Sequence, residues 1–110
     1  MLTSIYLLFR LPVLLRLPLA LQSIGEDAFN GAGLRVLYVP ENVKDIAVKA
    51  FRNCSSLTKV KFAGTPTSIG ATAFTGCSAL TDIYVPWAEG AVADAPWGAT
   101  GATIHYNVAT

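Results

Sequence analysis

The sequence predicts a solenoid of stacked coils about 23 residues long, each contributing one short strand and returning to the next through turns. Two stretches carry the prediction. SIGATAFTGCSALTDIYVP, from Ser68, repeats the skeleton of DIAVKAFRNCSSLTKVKFA, from Asp45: Ile69 answers Ile46, Phe74 answers Phe51, Cys77 answers Cys54, Leu80 answers Leu57 and Ile83 answers Val60, every pair separated by the same step. Upstream, SIGEDAFNGAGLRVLYVP repeats it once more, with Leu34 and Leu37 one such step ahead of Leu57 and Val60. Composition agrees, because 53% hydrophobic and 14% charged residues are what short coils need when each must bury its interior against its neighbours.

Three segments follow in order. Residues 1–20 read as an irregular apolar segment packing over the first coil. LTSIYL, from Leu2 to Leu7, matches LTDIYV, from Leu80 to Val85, so the chain reads as starting in mid-repeat, as a piece of a longer array would. In the other copies the strand end is followed by the next isoleucine at one constant, short interval, but the stretch from Leu7 to Ile24 is more than twice as long. A signal peptide ending near PLALQS is the alternative. No positive charge precedes its first apolar run, and Arg10, Pro12, Arg16 and Pro18 interrupt it; the same residues oppose a membrane span.

Residues 21–86 hold the three good copies. LTDIYV is β-branched and aromatic and reads as a strand, stopped at Pro86 because proline cannot donate to a ladder. SIGATAF adds a second extended piece and a tight turn, where Gly70 and Gly76 suit permissive backbone angles. The first copy is one residue shorter between Phe29 and Leu34 and offers Ala32 or Gly33 in place of cysteine. Residues 87–110 are a degraded copy, with Val92 and Trp97 each one full step after Ile69 and Phe74.

The joint pattern SIGxxAFxxCxxLTxIxVP over residues 22 to 106 resembles the BspA-type leucine-rich repeats of bacterial surface proteins. The resemblance implies a right-handed leucine-rich-repeat solenoid, with a parallel sheet of LTxIxV strands on one side and turns, short extended pieces or 3-10 segments on the other. PWAEGAVADAPWGATGATIHY looks like the segment that ends such arrays. Two departures, Ala47 after Ile46 and Phe62-Ala63 in place of Val-Pro, soften local turns. The resemblance also implies a secreted or cell-surface setting and a role in attachment, within a longer array.

If Leu80, Ile83 and Val85 point inward, alternation sends Asp82 and Tyr84 outward. Stacking then makes two columns, Val36, Lys59, Asp82 and Tyr38, Lys61, Tyr84, the second extended by Tyr6 before it and His105 after it. Aromatics alternating with lysine could hold a protein or glycan ligand by stacking and hydrogen bonds. The plainer reading is that tyrosine is a good strand former that covers the sheet.

Other chemistry is thin. A formal net charge of +1 excludes a strong general pull toward nucleic acid or acidic membranes. Arg35, Lys44, Lys49, Arg52, Lys59 and Lys61 make the middle of the chain basic, diluted by Glu26, Glu41 and Asp45. One histidine and two cysteines give no metal spacing, and no phosphate loop or nucleophile elbow occurs, so no cofactor and no enzyme activity are expected. Cys54 and Cys77, one repeat apart, read as buried free thiols filling small gaps, with a disulfide as the alternative. Asn53-Cys54-Ser55 matches a glycosylation acceptor but reads as a turn. The expected function is therefore a non-catalytic binding module, with an architectural spacer or a remnant without independent activity as alternatives.

Overall fold

The structure, a computed structural model, describes residues 14–108. Its strands are β1 (Leu14–Arg16), β2 (Ser23–Ile24), β3 (Val36–Val39), β4 (Asp45–Ile46), β5 (Lys59–Phe62), β6 (Ser68–Ile69), β7 (Asp82–Tyr84) and β8 (Thr103–His105). One sheet has five strands in the order β1-β3-β5-β7-β8, the other three in the order β2-β4-β6, and every pairing is parallel. This is the stacked solenoid that the repeat pattern predicts, with the parallel sheet that the resemblance to leucine-rich repeats implies.

Alternation decides each strand's faces. Leu37 and Val39 of β3, Val60 and Phe62 of β5, and Ile83 of β7 point into the core, while the residues between them face out. The register is that of the sequence repeat, Leu37 beside Val60 and Val60 beside Ile83. Behind the strands runs an aromatic spine. Phe29 stacks on Phe51 with ring centroids 5.1 Å apart, and Phe51 on Phe74 at 5.3 Å. The turns that carry these rings are laddered too: the Phe29 N–H donates to the Ala50 carbonyl, Phe51 to Ala73 and Phe74 to Trp97, at 2.8, 2.8 and 2.9 Å. Trp97 thus takes the phenylalanine position of the last coil, fully buried, its indole N–H donating to the Ala93 carbonyl. What the degraded copy lacks is a strand in the second sheet, which stops at β6.

The two departures from the repeat pattern cost nothing in hydrogen bonding. The Ala47 N–H donates to Ile24 as Gly70 does to Ile46. The Ala63 N–H reaches the Val39 carbonyl at 2.9 Å, a bond unavailable to Pro40 or Pro86 at the equivalent positions.

Of the N-terminal segment, residues 1–13 lie outside the described residues, and Leu14–Arg16 pair in register with Val36, Leu37 and Tyr38 as a partial repeat does. Leu17-Pro18 then takes the place of Val39-Pro40, and the stretch from Leu17 to Ile24 restores the interval of the other copies. LTSIYL and Tyr6 lie outside the described residues; the strand position beside Tyr38 belongs to Arg16.

Each coil turns at a residue with positive φ: Gly31 (72°), Asn53 (61°), Gly76 (81°) and Gly98 (85°). Asparagine is the side chain that best tolerates this region, and Asn53 also crowds its neighbour, because a Cβ on Gly76 would collide with the Asn53 side-chain oxygen. The residue after each turn is small and buried: Ala32, Cys54, Cys77 and Ala99. Ala32 is therefore the cysteine equivalent, and the missing residue of the first copy falls between it and Leu34.

Both cysteines are free and buried. Each thiol donates to a phenylalanine carbonyl of the preceding coil, Cys54 to Phe29 and Cys77 to Phe51, both at 3.1 Å. Hydrogen bonding with Cys77 and burial push the Cys54 thiol well above its ordinary range.

Two outcomes are expected. Gly76→Ala lowers the unfolding free energy by about 2 kcal/mol, while Asn53→Gly changes it by no more than about 0.5 kcal/mol, both read from urea denaturation. A thiol-specific disulfide reagent labels neither cysteine in the native protein and both in denaturant; rapid native labelling would contradict the burial.

Candidate functional site

Alternation and register together build the outward face of the five-stranded sheet. One column runs Val36, Lys59, Asp82, Thr103, and the next runs Tyr38, Lys61, Tyr84, His105. All seven residues singled out from the sequence stand on this face. Lys59 is exposed, and Val36, Tyr38, Lys61, Asp82, Tyr84 and His105 are half-buried between their neighbours.

The columns divide into two parts of different character. At the β7–β8 end the side chains engage one another. The Tyr84 and His105 rings stack with centroids 4.6 Å apart and planes 13° from parallel. His105 Nε2 lies 2.9 Å from Asp82 Oδ1; an ionised carboxylate can only accept, so Nε2 carries the proton of this bond. The Thr81 hydroxyl donates to the other oxygen, Oδ2, at 2.8 Å. These bonds, from His105 first and Thr81 second, with the Lys59 charge adding, hold the Asp82 carboxyl below its ordinary value of 3.8.

At the β3–β5 end the lysines make no short ion pair among the described residues. Among the described residues no carboxylate lies within ion-pair distance of Lys59 or Lys61; the one ion pair there is His105–Asp82. Here the face meets an apolar groove of about 480 Å³ at the strand ends, lined by Leu17, Leu19, Tyr38, Val39, Pro40, Lys61, Phe62 and Ala63. Leu19 is 78% exposed, an unusual position for leucine.

Sequence reasoning reached the columns but not the groove. Its signal was present: Leu19 follows Leu17-Pro18 where Glu41 follows Val39-Pro40, so an apolar residue stands at a turn position that is polar in the next coil. Among the described residues no cluster of three or more histidine, cysteine or acidic side chains is placed to hold a metal ion, and no helix is long and apolar enough to cross a membrane.

The Asp82 bonds make a pH-dependent contribution to stability. A carboxyl held below its ordinary value adds stability above that value, and the contribution disappears as pH falls through the lower, folded value. Urea midpoints measured from about pH 6 to about pH 2 should fall more steeply for the native chain than for Asp82→Asn. Parallel acid limbs would show that the His105 and Thr81 bonds add nothing.

No curated protein and no solved structure matches the chain. The family model described as BspA type leucine rich repeat region (6 copies) matches residues 14–89, more than half of the sequence. The same stretch holds β1 to β7, the spine from Phe29 to Phe74 and the inward leucines at their repeat spacing. With the fold and the sequence model in agreement, this chain belongs to the BspA-type leucine-rich-repeat family.

Proposed function

We propose that the chain is a non-catalytic binding module whose outward sheet face contacts a protein partner at a cell surface or in a secreted setting. One observation carries this reading: tyrosine, lysine, aspartate and histidine side chains stand in fixed columns on a sheet whose backbone is laddered throughout. Such a surface is held in place before any partner arrives, so little ordering entropy is lost on contact.

A protein surface fits better than a sugar ring. Sugars pack on an open aromatic face, and the Tyr84 face toward His105 is already covered by the imidazole. The lysine ammonium groups stand on the same face without an ion pair among the described residues, and these suit charge pairing with a polypeptide.

The architectural spacer is the second reading, and the same stack favours it. Rings that pack on each other along a column contribute to the stability of the sheet without any ligand.

The two readings part in a binding assay. The full chain, immobilised on a biosensor, is tested against a panel of extracellular-matrix and cell-surface proteins and against a glycan array. The binding reading expects saturable attachment to a protein, weakened about tenfold or more by Lys59→Glu or Tyr84→Ala while the circular dichroism spectrum is kept. Attachment that ignores both substitutions, or none at all, favours the spacer; glycan binding lost on Tyr84→Ala would reverse the preference for protein.

A further inference from the structure

We infer that the rim groove at the ends of β1, β3 and β5 is a subsite for a peptide segment that presents a large apolar side chain beside a carboxylate, the carboxylate pairing with Lys61. The inference rests on the sheet face being a contact surface and names what one end of it takes.

The groove has the size of a small-ligand site, its 480 Å³ falling within the usual range of about 300–1,000 Å³. Among the described residues that line it, seven are apolar or aromatic and the eighth is Lys61. That combination, an apolar wall with a charged group, fixes both the body and the polar end of what can sit there. Lys61 is half-buried, and no carboxylate among the described residues pairs with it. A partly desolvated ammonium without a counter-charge is less stable than one with a partner, so an incoming carboxylate gains where a neutral group does not.

The described residues offer no substitute. Glu41, next to Pro40 at the groove, is exposed and forms no ion pair with Lys61. Residues 1–13, MLTSIYLLFRLPV, supply apolar side chains but no carboxylate, and they add Arg10. Their charge is the wrong sign to answer Lys61, and the occupant assigned to the groove is a carboxylate-bearing peptide segment of another molecule.

Leu19 strengthens the assignment. It lines the groove and yet is 78% exposed, with its carbonyl fixed by the Asn42 side chain at 3.0 Å. The side chain is therefore held out from a pinned backbone, where it contributes little to the core and is free to cover a guest.

The test uses 4-phenylbutyrate, an apolar body with one carboxylate, titrated into the isotope-labelled full chain and followed by amide chemical shifts. Saturable shifts at Tyr38, Lys61, Phe62 and Ala63 are expected. Lys61→Gln, and separately the neutral probe 4-phenylbutanamide, should each weaken binding about fivefold or more, the scale of a half-exposed charge pair. Leu19→Ser should weaken it about twofold or more without altering the fold.

Equal binding of acid and amide, no effect of Lys61→Gln, shifts centred elsewhere, or no saturable shift would each overturn the inference. So would contacts between the groove amides and residues 1–13 that the probe does not displace. If a protein partner is lost on Lys59→Glu or Tyr84→Ala but keeps full affinity for Lys61→Gln, the sheet-face reading stands and the groove subsite falls.

Discussion

The structure depends on one spacing. Parallel strands lie about 4.8 Å apart, and the phenylalanine rings behind them must repeat at nearly that distance if the coils are to stay closed. They do, at 5.1 and 5.3 Å, almost coplanar. Because the backbone beneath each ring also donates to the next coil, neither end of a coil can drift without breaking bonds at the other. The interval along the chain is less strict. The step from Leu37 to Val60 equals that from Val60 to Ile83, but the paired Leu15 and Leu37 stand slightly closer in sequence, and Ile83 and Ile104 closer still. The turns absorb the difference, as between Ala32 and Leu34, and the inward residues keep their register.

The fixed spacing also explains what could be read from the sequence. Inward leucines, the phenylalanine spine and both outward columns follow from residue identity at a constant interval, and each was legible before the fold. Trp97 was legible for the same reason, since an aromatic residue at the right step takes the ring position even where the second sheet has ended. The first strand was not. Leu14 and Leu15 are both leucine, so the alternation that marks β3 or β5 is hidden, and LTSIYL nearby carries a clearer strand pattern at the wrong interval. The interval from Leu17 to Ile24, equal to that from Val39 to Ile46, was the discriminating feature, because a coil tolerates a poor strand pattern more readily than a turn of the wrong length.

Side-chain pairing across the face was beyond the reach of spacing. Register places His105 beside Tyr84 and Asp82 beside Thr103, but the imidazole reaches diagonally to the Asp82 carboxylate while stacking on the phenol. That geometry depends on rotamers, which a repeat pattern does not encode. The end of the face that looks richest in aromatic chemistry is satisfied internally, and at the other end the two lysines have no ion pair among the described residues. The groove belongs to the second end, and it arises because the first coil follows its proline with leucine where the next coil has glutamate.

Size sets the remaining constraint on any partner. Five strands span roughly 20 Å across the sheet, and three or four residues along each add roughly 12 Å, so the columns present on the order of 250 Å². A stable protein contact needs about 800 Å² on each side. The columns alone therefore cannot hold a partner tightly, however well their charges match. Contact must spread past the strand ends, and the groove walled by Leu17, Leu19, Pro40 and Phe62 is apolar surface continuous with the Tyr38–Lys61 column. On the proposed reading, apolar contact at the rim would supply the affinity that a small polar face lacks, while the lysines and the Asp82–His105 pair would determine which partners are accepted. A module of the proposed kind would bind through the junction of its sheet and its turns, to which the first coil contributes Leu17 and Leu19.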